Sequence, residues 1–135
     1  MAPVVEEVIG ARLALLARGL TGAEARDLVR TVASSDADRS LLVATAAPSL
    51  RRVPRRGRLS ATDTERLVRL GTLFTLLRAA YGSESLAREI LHMPVPALGD
   101  RSALACADTL TAIERAQDLF VPYTITIVVD APASP

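Results

Sequence analysis

His92 is the only histidine and Cys106 the only cysteine among 135 residues, so the chemistry this chain can do on its own side chains is narrow. A multi-histidine metal site is excluded, and a serine–histidine–carboxylate hydrolase would have to be built around one ring at a helix end, with no nucleophile turn beside it. The reading that fits His92 is a ring that hydrogen-bonds carbonyls at a helix C-terminus. Cys106 stands among Ala103, Leu104, Ala105 and Ala107, which suits a small buried apolar side chain; a reactive thiolate needs a cationic or helix-N-terminal setting. Neither GxGxxG nor GxxxxGK[ST] occurs, and Glu6 and Glu7 are adjacent, so on a helix they face different ways. These absences predict a protein that is not an enzyme and that uses no cofactor and no metal.

The strongest chemical signal is a cluster of positive charge. All sixteen basic residues are arginines, and five of them, Arg51, Arg52, Arg55, Arg56 and Arg58, fall within SLRRVPRRGR. With Ser49 at their head, these guanidinium groups could neutralise DNA phosphates, meet an acidic patch on a protein partner, or stay solvated. The formal net charge of +1 conceals this concentration. No aromatic platform for single-stranded nucleic acid accompanies it, because Phe74, Tyr81, Phe120 and Tyr123 are scattered.

Positioning these groups falls to helices. Aromatics are 3% of the chain and Ala and Leu supply much of the apolar half, a mixture that favours helix over sheet; the length suits one modest core or two small ones sharing an interface. Val5, Ile9, Leu13, Leu16 and Leu20 recur at helical spacing, which predicts a helix over 4–18 closed by Gly19. Thr21 with Glu24 is a capping box opening a helix over 22–33. Ser35 with Asp38 opens a shorter one that Pro48 ends. Ser49 reads as a further cap, but Pro54 allows only a turn or two. Together 36–46 and the start at Ser49 outline a helix-turn-helix with the arginines on its second unit.

Ser60 or Thr62 caps the longest helix, whose stripe Leu67, Leu70, Phe74, Leu77 and Tyr81 runs to Gly82. Ser83 opens a helix through about 91, and short helices are predicted near 103–109 and, from a Thr111–Glu114 capping box, over 111–120. The ending differs: Tyr123, Ile125, Ile127 and Val129 fall on one side and Thr124 and Thr126 on the other, predicting a strand that finds no partner strand elsewhere in the chain. An unpaired strand points to another chain or a symmetry mate, hence to an interaction protein forming homo- or hetero-oligomers. No stretch has the roughly 18 consecutive apolar residues of a membrane span, and no signal peptide is legible, so a soluble cytoplasmic protein without membrane contact is expected.

RRGRLSATDTERLVRL and AREILHMPVPALGDRSALACADT carry a resemblance. Over residues 40–120 the chain resembles the Xre/MbcA/ParS antitoxins, which join an Xre-like helical domain to a toxin-binding domain. In the first phrase Gly57, Leu59, Ser60, Thr64, Arg66, Leu67 and Leu70 fall on the family pattern; in the second Leu91, Pro94, Ala97, Leu98, Gly99, Arg101, Leu104, Asp108 and Thr109 do. Ile90 stands where the family usually has Trp, and Ala103 where it has Pro. The resemblance implies an all-α small bundle with an Xre-like helix-turn-helix region over 1–59, a ParS-like toxin-binding region over 60–121 and a tail over 122–135 with a short strand. It further implies an antitoxin of a type II system that occludes the active site of a RES-type, NAD-consuming toxin and represses its own operon. Toxin contact would then fall to Leu91, Pro94, Leu98 and Arg101, joined by Phe120, Tyr123, Ile125 and Ile127 because an unpaired β-branched segment past the family's usual stop can add a strand to a partner, and operator contact to Ser49 and the arginines. The alternative is a helix-turn-helix transcriptional regulator without a toxin partner.

Overall fold

A computed structural model describes residues 18–120. The expected helix over 4–18, apart from Arg18, and the expected strand with Tyr123, Ile125 and Ile127 lie outside the described residues. Within them the chain is all-α: α1 (Gly22–Val32), α2 (Asp36–Ala46), a 3-10 helix (Pro48–Arg52), α3 (Ala61–Tyr81), α4 (Glu84–His92), a second 3-10 turn (Pro96–Leu98) and α5 (Leu110–Phe120). No helix among the described residues is long and apolar enough to cross a membrane.

Side-chain caps set the helix starts. Thr21 and Glu24 form the reciprocal capping box, each satisfying a backbone N–H of the other, and Gly19 before it is left-handed (φ +80°). Ser35, Ser60 and Ser83 accept from the N–H three residues on at 3.1, 3.2 and 3.3 Å and cap α2, α3 and α4. α3 ends at left-handed Gly82. α5 departs from expectation. Thr109, not Thr111, caps it, accepting from the Ala112 N–H at 3.1 Å, while Glu114 turns instead to an ion pair with Arg69 on α3.

α3 is the central element. Leu67, Leu70, Leu73 and Leu77 are fully buried along it, and α1, α4 and α5 pack around them. Tyr81 does not complete the buried stripe: Arg78 through Tyr81 are all exposed. Gly71 sits mid-helix at a propensity cost of about 1 kcal/mol; a Cβ there would lie 3.0 Å from Leu28 Cδ1, so its absence lets α1 approach closely.

One apolar cluster runs from Leu20 to Ala116, taking Val29, Leu42 and Leu50 from before residue 59 and Leu91, Leu104 and Ile113 from after it. Polar ties cross the same line. Leu20 N–H donates to Thr64 Oγ1 at 3.3 Å, Thr45 Oγ1 to the Leu104 carbonyl at 3.0 Å, and Arg88 Nε to the Thr31 carbonyl at 2.8 Å. The expected helix over 103–109 is instead a buried series of turns. Left-handed Gly99 and Asp100 (φ +60°) reverse the chain just before it, and Leu104 is anchored through its N–H to the Leu91 carbonyl.

Candidate functional site

The arginine segment is built onto the N-terminus of α1. Pro54 to Gly57 form a turn closed by Gly57 N–H to Pro54 O at 2.9 Å. The Gly57 and Arg55 carbonyls accept from the N–H groups of Gly22 and Ala23 at 2.9 and 3.0 Å, satisfying two donors that a helix start leaves without partners. The turn is thereby held by backbone bonds; Arg55, Arg56 and Arg58 are exposed on and just after it, and Arg51 and Arg52 are exposed at the end of the 3-10 helix before it. Arg58 alone of these makes a side-chain hydrogen bond among the described residues, to the Gly19 carbonyl at 3.0 Å.

Ser49 does not belong to that exposed surface. It sits inside the 3-10 helix rather than capping it, and both its N–H (2.9 Å) and its hydroxyl (2.5 Å) donate to Asp63 Oδ2. The second unit of the helix-turn-helix outline is accordingly five residues of 3-10 helix, ending before Pro54, where groove reading needs an α-helix of roughly two or more turns. α2 presents little to a phosphate backbone: Asp36 and Asp38 occupy its first turn, and its only basic residue, Arg39, donates through Nε to the Ala33 carbonyl at 2.9 Å.

The residues expected to contact a toxin divide by burial. Leu91 and Leu98 lie in the core, where Leu91 also holds Leu104 by its carbonyl; their side chains pack inward and offer nothing to a docking protein. Pro94 and Arg101 are exposed on the loop after α4, which the Val95–Arg101 backbone bridge closes. Phe120 is half-buried against the core. Two exposed apolar side chains stand near that loop, Leu86 (43% exposed) on α4 and Met93 (49%) just past its end, whereas Ile90, between them in the chain, is half-buried and packs against the core. Only the packing tells which apolar positions of α4 face out.

His92 Nδ1 donates to the Arg88 carbonyl at 2.6 Å, the helix-terminal role expected of it, and Nε2 lies 3.0 Å from Asp38 Oδ2 on α2 without good hydrogen-bond alignment. Ser34, Ser85 and Glu89 join them around an open cavity of about 340 Å3. Cys106 is buried, its Sγ 3.7 Å from the Leu98 carbonyl. Among the described residues no group of three or more His, Cys, Asp or Glu could hold a metal ion.

Compared with protein families, curated proteins and solved structures, the chain matches none.

Proposed function

We propose, from the resemblance of residues 40–120 to the Xre/MbcA/ParS antitoxins, that this chain is the antitoxin of a type II toxin–antitoxin pair, and that it acts by covering the active site of a RES-type, NAD-consuming enzyme. The observation that carries the reading is apolar surface left outside the core, exposed Leu86 on α4 and exposed Met93 just past its end, followed directly by the exposed loop of Pro94, Pro96 and Ala97 beside Arg101. Covering the exposed parts of Leu86 and Met93 is worth on the order of 1 kcal/mol each, and occlusion needs contact area rather than catalytic groups. The segment after Phe120 adds β-branched residues suited to strand addition on a partner.

The test is co-expression with the product of the adjacent gene. That enzyme alone should deplete cellular NAD, the wild-type chain should restore it and co-purify, and the Leu86→Glu/Met93→Glu variant should do neither while keeping its helical circular dichroism. A wild-type chain that neither co-purifies nor restores NAD defeats the reading. Ending the chain after Phe120, which keeps that ring on the core, should weaken co-purification.

The exposure of Arg51, Arg52, Arg55 and Arg56 favours a second activity, autorepression through phosphate contacts. With a 3-10 turn in place of a reading helix, such binding would be strongly salt-dependent and weakly sequence-selective. Replacing these four arginines by Ala should abolish retardation of operator duplexes, and retention of binding would remove the arginines from that role.

A further inference from the structure

We propose that a cavity between α1, α2 and the first 3-10 helix is a receptor for an acidic-apolar segment of a protein partner. An apolar side chain would enter it while flanking carboxylates meet the arginines at its rim. The cavity holds about 250 Å3; Val29, Val43 and Leu50 give it an apolar floor, Arg26, Arg30, Arg39 and Arg51 surround that floor, and no carboxylate lines it.

The rim guanidinium groups keep capacity to bind. Arg30 and Arg39 approach Asp27 and Asp36 only at 3.5 Å, and both carboxylates are exposed, so these pairs are weak and easily exchanged. Arg51 makes no ion pair among the described residues. Arg26 is fixed by donating from Nη2 to the Val53 and Leu50 carbonyls at 2.6 and 3.3 Å, and its Nη1 is buried beside Gly22, so Arg26 adds positive charge to the rim without a free donor.

Charge complementarity selects an anion, and the floor selects its company. A sugar–phosphate backbone would use the rim and leave Val29, Val43 and Leu50 uncovered, and no aromatic side chain lines the cavity to stack a base. Free metabolites usually occupy pockets of about 300–1,000 Å3 that enclose most of the ligand. An open cavity below that size suits one anchoring side chain of a larger partner, with bidentate guanidinium–carboxylate pairs around it. The inference rests on the reading of this chain as a partner-binding protein, but not on which protein the partner is.

The probe is a short fluorescein-labelled peptide alternating glutamate and leucine, followed by anisotropy and by methyl NMR spectra of the protein. Saturable binding is expected, with shifts at the Val29, Val43 and Leu50 methyls. Arg30→Glu/Arg51→Glu should weaken it by about tenfold or more with unchanged circular dichroism, whereas Arg55→Glu/Arg56→Glu, outside the cavity, should change it less than about twofold. The proposal is overturned by absence of binding, by equal affinity for a glutamate–serine peptide, or by equal loss in the Arg55/Arg56 variant. It is also overturned if a DNA duplex displaces the peptide while shifting the same methyls. Peptide binding without NAD rescue would keep the cavity and remove the toxin assignment; rescue without peptide binding would do the reverse.

Discussion

At Gly22 the absence of a side chain is what lets the arginine turn close on α1. A Cβ there would lie 2.2 Å from the Pro54 carbonyl oxygen, which is backbone and itself tied by the Gly57 N–H, so it cannot swing away. Ala is the better helix former by up to about 1 kcal/mol, yet the clash outweighs it: Gly22→Ala should destabilise by about 1–3 kcal/mol net, read as a lowered denaturant midpoint, and an unchanged midpoint would mean that the turn is not packed there. Asp63 makes a second decisive contact. Its buried carboxylate takes two hydrogen bonds from Ser49 and lies 3.6 Å from Arg66. Asp63→Ala strands the Ser49 N–H and should cost about 2–4 kcal/mol, with Asp63→Asn restoring part of it. The sequence offered Ser49 as a phosphate ligand because a serine before arginines looks the same whether it meets DNA or a carboxylate fourteen residues on.

Elements were legible where local chemistry decides them. Thr21, Ser35, Ser60 and Ser83 stand just before apolar periodicity and each does cap, and Gly82 ends α3, because capping needs only a few neighbouring residues. Legibility failed where distant groups decide: the Ala-rich 103–109 stretch is pulled into turns by its ties to Leu91 and Thr45, and Glu114 is taken by Arg69 rather than by a capping box. The sequence also could not show which side of α4 faces out, which misassigned Leu91. The α1 cap carries its own pH dependence. Bonds from the Arg18 guanidinium, and then from the Thr21 N–H, hold the Glu24 carboxyl down at about 2. A carboxyl lowered by folding stabilises the fold above its unfolded value near 4.5, and that contribution is lost as pH falls from there towards 2. Glu24 is more than a third exposed, so solvent screening keeps the effect small. Glu24→Gln retains an acceptor for the Thr21 N–H but loses the charge; its melting temperature should fall below wild type at pH 7, and the gap should close by pH 2. A gap that persists at pH 2 would assign the loss to packing instead.

Across the whole molecule, the helical region before residue 59 and the one after it share a single interior. Leu42, Leu50, Leu70 and Leu104 belong to one buried cluster, and the bonds joining Leu20 to Thr64, Ser49 to Asp63, Thr45 to Leu104 and Thr31 to Arg88 all cross that line. Neither side could keep its apolar surface from water if the other unfolded, so the described region should melt as one cooperative unit. Circular dichroism and calorimetry should give coincident transitions, and amides of α1 and α5 should lose exchange protection with the same free energy. Leu70→Ala, at the fully buried centre of α3, should remove about 2–5 kcal/mol from both ends together. Two separable transitions, or a Leu70→Ala effect confined to α5, would instead mean that the two regions fold independently. Cooperativity also bears on docking, because an interior already closed leaves a partner the outer surface to engage, which among the described residues includes exposed Leu86 and Met93, the Pro94 loop, the arginine turn and the arginine-rimmed cavity.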